Sequence, residues 1–486
     1  MYKLVTISVV CCFFALGIEA LAQDSIPDRF YREQISLEIQ SLHPYLMDDS
    51  DPRFYEAGVG YYFLKGVRNQ PFGSLSSRSL IFDTRSRIQV RDWEMYGEFS
   101  YRKLFNEHRP FLLQSEKSAA LPYLVLDNNV GPWAGDKIDF LFSIKSPYYG
   151  PKNKMGTSMT VSYEVGSSTR RSEPRPLANH NGFNIAIQQA LKLDEVWHAG
   201  FGFGYRSDGE EIQIGSYSVQ DFRILQARGW YTFTSNTFQS FQRRLFVNEW
   251  DYLFFLSYQK KKIKAFSEFK VETENSEIRD GIAFPIQGGN TNSKATKLKA
   301  GVQYKDSQKG NFEAYFKFLG KNLVGTDPVF GAVNIENGLI EISNELIWQS
   351  CRNNPWQIGS NIDWRSFEST ELAANASIQL RELIGSLYLL KEIQLSGSSK
   401  LYLRPSIDLQ KGEISQVGNR STELSELLLF PMRSFYGQEY WEPGLGVFWE
   451  QRLPKKQLLS FSISYSNRVS KTYPLNEFVF RTSFLL

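Results

Sequence analysis

At 486 residues the chain is too long for one ordinary compact domain unless it forms a single large closed sheet. Hydrophobic residues make up 42% and aromatic residues 15%, with 37 Phe and 25 Tyr, which excludes a disordered chain and leans towards strand formers. The net charge of +3 comes from basic residues spread among acidic ones and leaves no footprint for nucleic acid.

Residues 1–22 read as a secretory signal. Lys3 supplies the positive flank, "LVTISVVCCFFALGI" the apolar core, and "ALA" before Gln23 the small-x-small cleavage site. A lipid-modified start at Cys11 or Cys12 is the weaker alternative, because Val10 is bulkier than the residue such sites prefer. With that segment removed, Cys351 is the one thiol left, so a disulfide framework and a clustered-cysteine metal site are both excluded. No later run, "LLLF" at 427 included, is long enough for a transmembrane helix.

Residues 23–92 read as a periplasmic lead or plug segment that can include first strands, with a short amphipathic helix in "SIPDRFYREQISLEIQSL" and a strand signal in "AGVGYYFL". From 93 to 486 the pattern is a transmembrane antiparallel up-and-down β-barrel. "WEMYGEFSYRKL" opens it and "TSMTVSYEV" repeats the alternation. In "WHAGFGFGYR", Trp197, Phe201, Phe203 and Tyr205 share one face. His198, Gly200, Gly202, Gly204 and Arg206 share the other, where the glycines would make room for loops or let the wall bend.

"KIKAFSEFKVETE" sets Ile263, Ala265, Phe269 and Val271 against Lys264, Glu268, Lys270 and Glu272. "TKLKAGVQY" and "GNFEAYFKF" follow the same rule, and "GLIEISNELIW" opposes Ile340, Ile342, Leu346 and Trp348 to Glu341, Ser343 and Glu345. In "NPWQIGSNIDWRS", Trp356, Ile358, Ile362 and Trp364 face away from Gln357, Asn361, Asp363 and Arg365. "QLLSFSISYS" backs Leu459, Phe461, Ile463 and Tyr465 with serines. Phe478, Phe480, Phe484 and Leu486 fall on one face of the last strand, the pattern of a C-terminal recognition strand ending in Leu rather than an aromatic residue.

Runs of about 9–12 residues with period two suit strands tilted across a bilayer, with the apolar face to lipid, the polar face to a lumen, and Trp and Tyr at the interfaces. Propellers and sandwiches use shorter strands, and no repeat of blade length is present. Short turns at 396 and 454 mark one rim. Long polar connections near 105–137, 275–294, 319–337 and 410–439 mark the other, and the alternation breaks near 207–225 and 367–398. The expected count is about 16 strands, within a range of roughly 14 to 18.

Catalytic chemistry finds little support. Of the four histidines, His43 lies in the lead, His108 and His180 are expected in connections, and His198 stands alone on a strand. None has metal-ligand spacing, "GFGFG" opens no helix, and no cofactor is expected. The candidate lumen lining is His198, Arg206, Lys264, Glu268, Lys270, Glu341, Glu345, Asp363 and Arg365, of mixed sign, forming either a pore wall or a salt-bridged filling. In "RRSEPRPLANHNGFNI", Pro174 and Pro176 lack N–H donors and are expected outside the ladder; Arg170, Arg171 and Arg175 form a candidate anion-binding loop beside them.

"YGEFSYRK" (96–103), "RRSEPRPLANHNGFNI" (170–185) and "WHAGFGFGYR" (197–206) resemble a family of uncharacterised outer-membrane β-barrel proteins of Gram-negative, Bacteroidetes-type bacteria. That family carries a Gly-x-Phe-Ser-Tyr strand, an Asp-Pro-Arg-Pro connection and a Gly-rich strand; Glu173 stands here where Asp is more frequent. The resemblance implies the fold and an outer-membrane location, and no activity. Two roles follow. One is a transport or uptake-associated channel or accessory component. The other is a structural or assembly partner in secretion or surface display, with a barrel-borne hydrolase behind both. Expected partners are outer-membrane lipid, the barrel-insertion machinery, and another outer-membrane transporter or secretion component.

Overall fold

The computed structural model describes residues 53–66, 74–114, 122–215, 221–281, 284–306, 310–350, 355–417, 422–437, 439–454, 457–469 and 475–485. Residues 1–52, which hold the expected signal and the first part of the expected lead with His43, lie outside the described residues, as do Cys351 and Leu486.

In chain order the elements are β1 (Phe54–Lys65), β2 (Ser76–Val90), β3 (Trp93–Leu112), β4 (Val125–Lys145), β5 (Met155–Arg170), β6 (Arg175–Lys192), β7 (Trp197–Gly215), β8 (Phe222–Ala227), β9 (Phe233–Phe238) and β10 (Ser240–Lys260). They continue with β11 (Ile263–Asp280), β12 (Ile286–Asp306), β13 (Gly310–Thr326), β14 (Val333–Gln349), β15 (Trp356–Glu371) and β16 (Ala376–Ser396). The last are β17 (Ser399–Val417), the helix α1 (Glu423–Tyr436), β18 (Tyr440–Arg452), β19 (Leu458–Arg468) and β20 (Leu475–Leu485).

Eighteen strands close into an antiparallel barrel. Each pairs with its chain neighbour except that β7 pairs directly with β10, and β20 closes the ring on β1 from Asn476↔Lys65 to Leu485↔Glu56. The count lies at the upper end of the expected range of roughly 14 to 18. The two additional staves, β1 and β2, precede Trp93. The strand signal in "AGVGYYFL" falls within β1, where Gly58 and Gly60 interrupt the inner face, while β2 is rich in serine and arginine and carries little apolar alternation.

The outer face carries the apolar residues. Phe201, Phe203, Trp250, Tyr252 and Phe254 are exposed, and Phe203 lies 5.4 Å from Trp250 and 5.5 Å from Tyr252 between ring centroids. Trp197 meets Tyr258 at 4.8 Å and Trp348 meets Trp356 at 4.6 Å, both near the short-turn rim. Along β7 the outward row runs from Trp197 to Tyr205, the distance of a strand crossing the hydrocarbon of about 9–11 residues. Phe54 and Leu485, the ends of the barrel, share the short-turn rim, which is periplasmic in such barrels.

Staves of up to 21 residues reach well beyond that band on the opposite, extracellular side. The polar stretches read as long loops are largely these extensions: β3 runs on to Leu112, β11 to Asp280 and β17 to Val417. Outside the membrane both faces of a strand can be polar, so the alternation that marks the lower half fades while the pairing continues. His108 lies inside β3, at a register shift with positive φ, and His180 lies inside β6; neither is in a connection. Pro176 likewise belongs to β6, opposite Ile214 of β7, whereas pairing of β6 with β5 begins at Leu177, so its missing N–H interrupts no ladder.

The glycine face of β7 makes room for side chains of the neighbouring stave rather than for loops. A β-carbon at Gly200 would sit 2.3 Å from Phe255 Cζ, and one at Gly204 2.2 Å from Asp251 Oδ2. The glycines are the floor on which inward side chains of β10 lie.

Candidate functional site: a charged lumen beneath a folded-in lid

The break near 207–225 is a hairpin, β8–β9, inserted between β7 and β10 and folded across the extracellular mouth. Its root pairs with β4 (Val125↔Gln226, Leu126↔Leu225), and Ala227 N donates to Leu124 O at 2.8 Å. Its tip reaches the far wall. There the Glu371 carboxylate, fully buried at the end of β15, accepts from Trp230 N (2.7 Å), Tyr231 N (2.8 Å), Thr232 N (3.0 Å) and the Thr232 hydroxyl. Arg228 donates to Asp327 at 2.7 and 2.9 Å, Asn334 Nδ2 donates to Arg228 O at 2.9 Å, and Trp230 Nε1 donates to Ser369 Oγ at 2.6 Å.

Helix α1 completes the lid. Thr422 and Ser425 form a reciprocal capping box at its start. Glu423 in the first turn accepts two bonds from Arg223 of β8, at 2.7 and 2.9 Å. Those bonds hold its carboxyl below the usual glutamate range. Leu424 and Leu428 pack with Leu124, Leu126, Leu225 and Ala227. Leu429, Met432 and Tyr436 pack with Tyr231 of the tip and Ile378 and Leu380 of β16. Each such buried side chain contributes about 1.5–3 kcal/mol. Burial, reinforced by the charge of Glu382, pushes the Tyr436 hydroxyl up to about 12, and burial also raises Tyr231.

Beneath this apolar layer lies a cavity of ≈ 500 Å³ with a charged wall, contributed by β10–β16. Among the expected lining residues, Glu268, Lys270, Glu341, Asp363 and Arg365 meet around it. Lys270 pairs with Glu272 at 2.9 Å and Asp251 at 3.3 Å, and Arg365 Nε donates to Glu341 at 2.6 Å. Arg206 faces inward at the edge of the group, 2.7 Å from Asp208. Glu345 stands nearer the short-turn rim, in register with Tyr315 and Asn361, and Lys264 nearer still, opposite Gln303. His198 sits at that rim, its ring 6.1 Å from Tyr148.

Five further wall residues, Asp251, Lys297, Lys299, Lys317 and Glu382, were not singled out from the sequence. The signal was available: alternation in "TKLKAGVQY" and "GNFEAYFKF" puts those lysines opposite outward Leu298 and Phe318. The three arginines of the candidate anion loop do gather round one depression. Arg170, however, is buried and committed to Asp127 (3.0 Å) and Pro174 O (2.9 Å), and Arg175 lies 3.0 Å from Glu173. His180 Nε2 is 3.1 Å from Glu164. Among the described residues no group of three or more His, Cys, Asp or Glu side chains could hold a metal ion.

A closed eighteen-stave barrel with an apolar outer band, aromatic rims and a charged lumen is an integral protein of the Gram-negative outer membrane. The chain belongs to a family of unknown function (DUF6850), whose model matches residues 44–484. No curated protein matches the sequence. Among solved structures it is similar to the ferric yersiniabactin uptake receptor FyuA from Yersinia pestis, at 9% identity over 90% of this chain and 80% of that one, with a TM-score of 0.39. It is also similar to the ferric-catecholate import receptor Fiu from E. coli K12, at 8% identity over 90% and 82%, TM-score 0.42. A third is OccK11 (OpdR) of Pseudomonas aeruginosa, at 9% identity over 89% and 96%, TM-score 0.35.

Proposed function

We propose that the protein handles hydrophilic solutes at the outer membrane, as a transport or uptake-associated barrel whose passage is closed until its lid moves, and that it is not an enzyme. The observation that carries this reading is the lid itself, an apolar layer latched by Glu371 and Asp327 above a charged cavity. A barrel with no traffic has no need of a charged, roomy interior under a separate cover. The lid is built from the hairpin and α1, so a plug formed by residues 23–52 is not required. Deleting everything before Trp93 would remove staves β1 and β2 and open the wall, not the channel.

The experiment is conductance in a planar bilayer. Gly215 and Ser240 already face each other across the β7–β10 pair, so a short Gly-Ser turn can replace the hairpin without disturbing the staves. Low or intermittent conductance is expected from the full chain and a steady, larger one from the shortened chain. A steady, large conductance in the full chain would overturn the closed-lid reading.

A second reading, a structural or assembly partner with a filled lumen, draws on apolar residues exposed at the extracellular rim, notably Phe284 and Phe330. It gains if neither form conducts and another outer-membrane transporter or secretion component co-purifies from mild detergent. Outer-membrane lipid and the insertion machinery are partners under both readings.

A further inference from the structure

The cavity wall does not distribute its charges evenly. In the ladder, Lys299 of β12 stands between Glu268 of β11 on one side and Lys317 of β13 on the other, all facing inward, with Lys297 two residues along the same face. Like charges opposite each other on adjacent strands have β-carbons about 4.5–5.5 Å apart and destabilise the pair. Lys297 lies 2.6 Å from Glu272, Lys270 is held between Asp251 and Glu272, Arg365 is held by Glu341, and Lys317 also interacts with a neighbouring group. Lys299 makes no hydrogen bond or ion pair among the described residues, although it lines the same cavity. An ammonium kept there beside a second one, below the lid, suits an anion that bridges both.

We infer that Lys299 and Lys317, with Lys297 beside them, form a binding site for the oxyanion group, phosphate or carboxylate, of a solute small enough for the cavity. The inference rests on the solute-handling reading and gives it a ligand class. Lysine suits this role as a compact point charge with rotatable donors, able to follow a ligand that must later leave.

Equilibrium dialysis of the purified full-length protein in mild detergent reads the site without requiring the barrel to conduct. The probes are labelled inorganic phosphate and, separately, labelled succinate, at low ionic strength. Saturable binding of either is expected, and which one binds separates phosphate from carboxylate chemistry. Lys299→Gln should weaken it about tenfold or more, the loss of one charge-assisted bond. Lys299→Arg should largely retain it, and Lys294→Gln, exposed on the outer face of β12, should leave it unchanged. A preserved mobility difference between unheated and boiled samples on gels checks that each variant is folded. No saturable binding of either probe by the full-length and the hairpin-shortened protein overturns the site, as does unchanged binding in folded Lys299→Gln and Lys317→Gln. Conductance that depends on the hairpin, with no anion binding, would leave the solute-handling reading standing and remove this one.

Discussion

A β-carbon added to Gly229, at the tip of the hairpin, would lie 2.3 Å from Cδ of Glu371 on the opposite wall of the barrel. The glycine lets the backbone come close enough for three consecutive N–H groups, those of Trp230, Tyr231 and Thr232, to reach one carboxylate. That contact spans the mouth from the β7–β10 side to β15, so it acts as the latch of the lid.

Breaking the latch should open the barrel without unfolding it. Glu371→Ala leaves three N–H groups without their acceptor, of which the buried one at Tyr231 costs about 1–3 kcal/mol and the part-buried ones at Trp230 and Thr232 cost less. Gly229→Val forces the tip off the wall. Both variants should raise conductance towards that of the hairpin-shortened protein while the heat-dependent gel shift persists. Glu371→Gln, which keeps one acceptor oxygen, should fall between. Conductance equal to wild type in both strong variants would remove the latch role.

The glycine row of β7 gives a separate prediction about the wall. Gly200→Val places methyl groups into the ring of Phe255, an overpacking cost of about 1–3 kcal/mol. The temperature at which the unheated gel form is lost should fall. Phe255→Ala in the same chain should recover part of that loss, because the two changes share one volume. Additive losses in the double variant would mean that the ring does not depend on the glycine.

Facing can be read by insertion into bilayers. Phe203 is exposed between Trp250 and Tyr252, and Phe203→Lys should cost about 2–4 kcal/mol at mid-membrane. Ser462 faces inward opposite Arg481, so Ser462→Glu should insert normally. Equal damage from both would contradict the assignment of the two faces.

Acid should loosen the lid at α1. Arg223 holds the Glu423 carboxyl below its ordinary range, near about 4.3 in a free chain. A depressed value means that the closed lid binds fewer protons than the released one. The contribution is therefore present above the ordinary glutamate range and is lost as pH falls through the depressed value. Channel openings should become more frequent below about pH 4.5, and Glu423→Gln should flatten that part of the dependence. Both side chains are partly exposed, so added salt should reduce the effect.

The sequence by itself determined the class of fold and which side of most strands meets lipid. The rows Trp356–Ile358–Ile362–Trp364 and Leu459–Phe461–Ile463–Tyr465 needed only a period of two and the difference between hydrocarbon and water. It also determined the signs of the lumen charges, because Lys264, Glu268 and Lys270 must point away from an apolar face. Tertiary structure decided what local pattern does not encode. Closure through β1 depends on pairing with β20 at the other end of the chain, and the polar upper staves depend on ladder bonds that continue after hydrophobic alternation has stopped. The lid depends on contacts between residues more than a hundred positions apart, such as Glu371 with Trp230 and Thr422 with Tyr231. Such contacts leave no periodic trace, since a backbone N–H is alike in every residue but proline, and only the folded chain shows which carboxylate it meets.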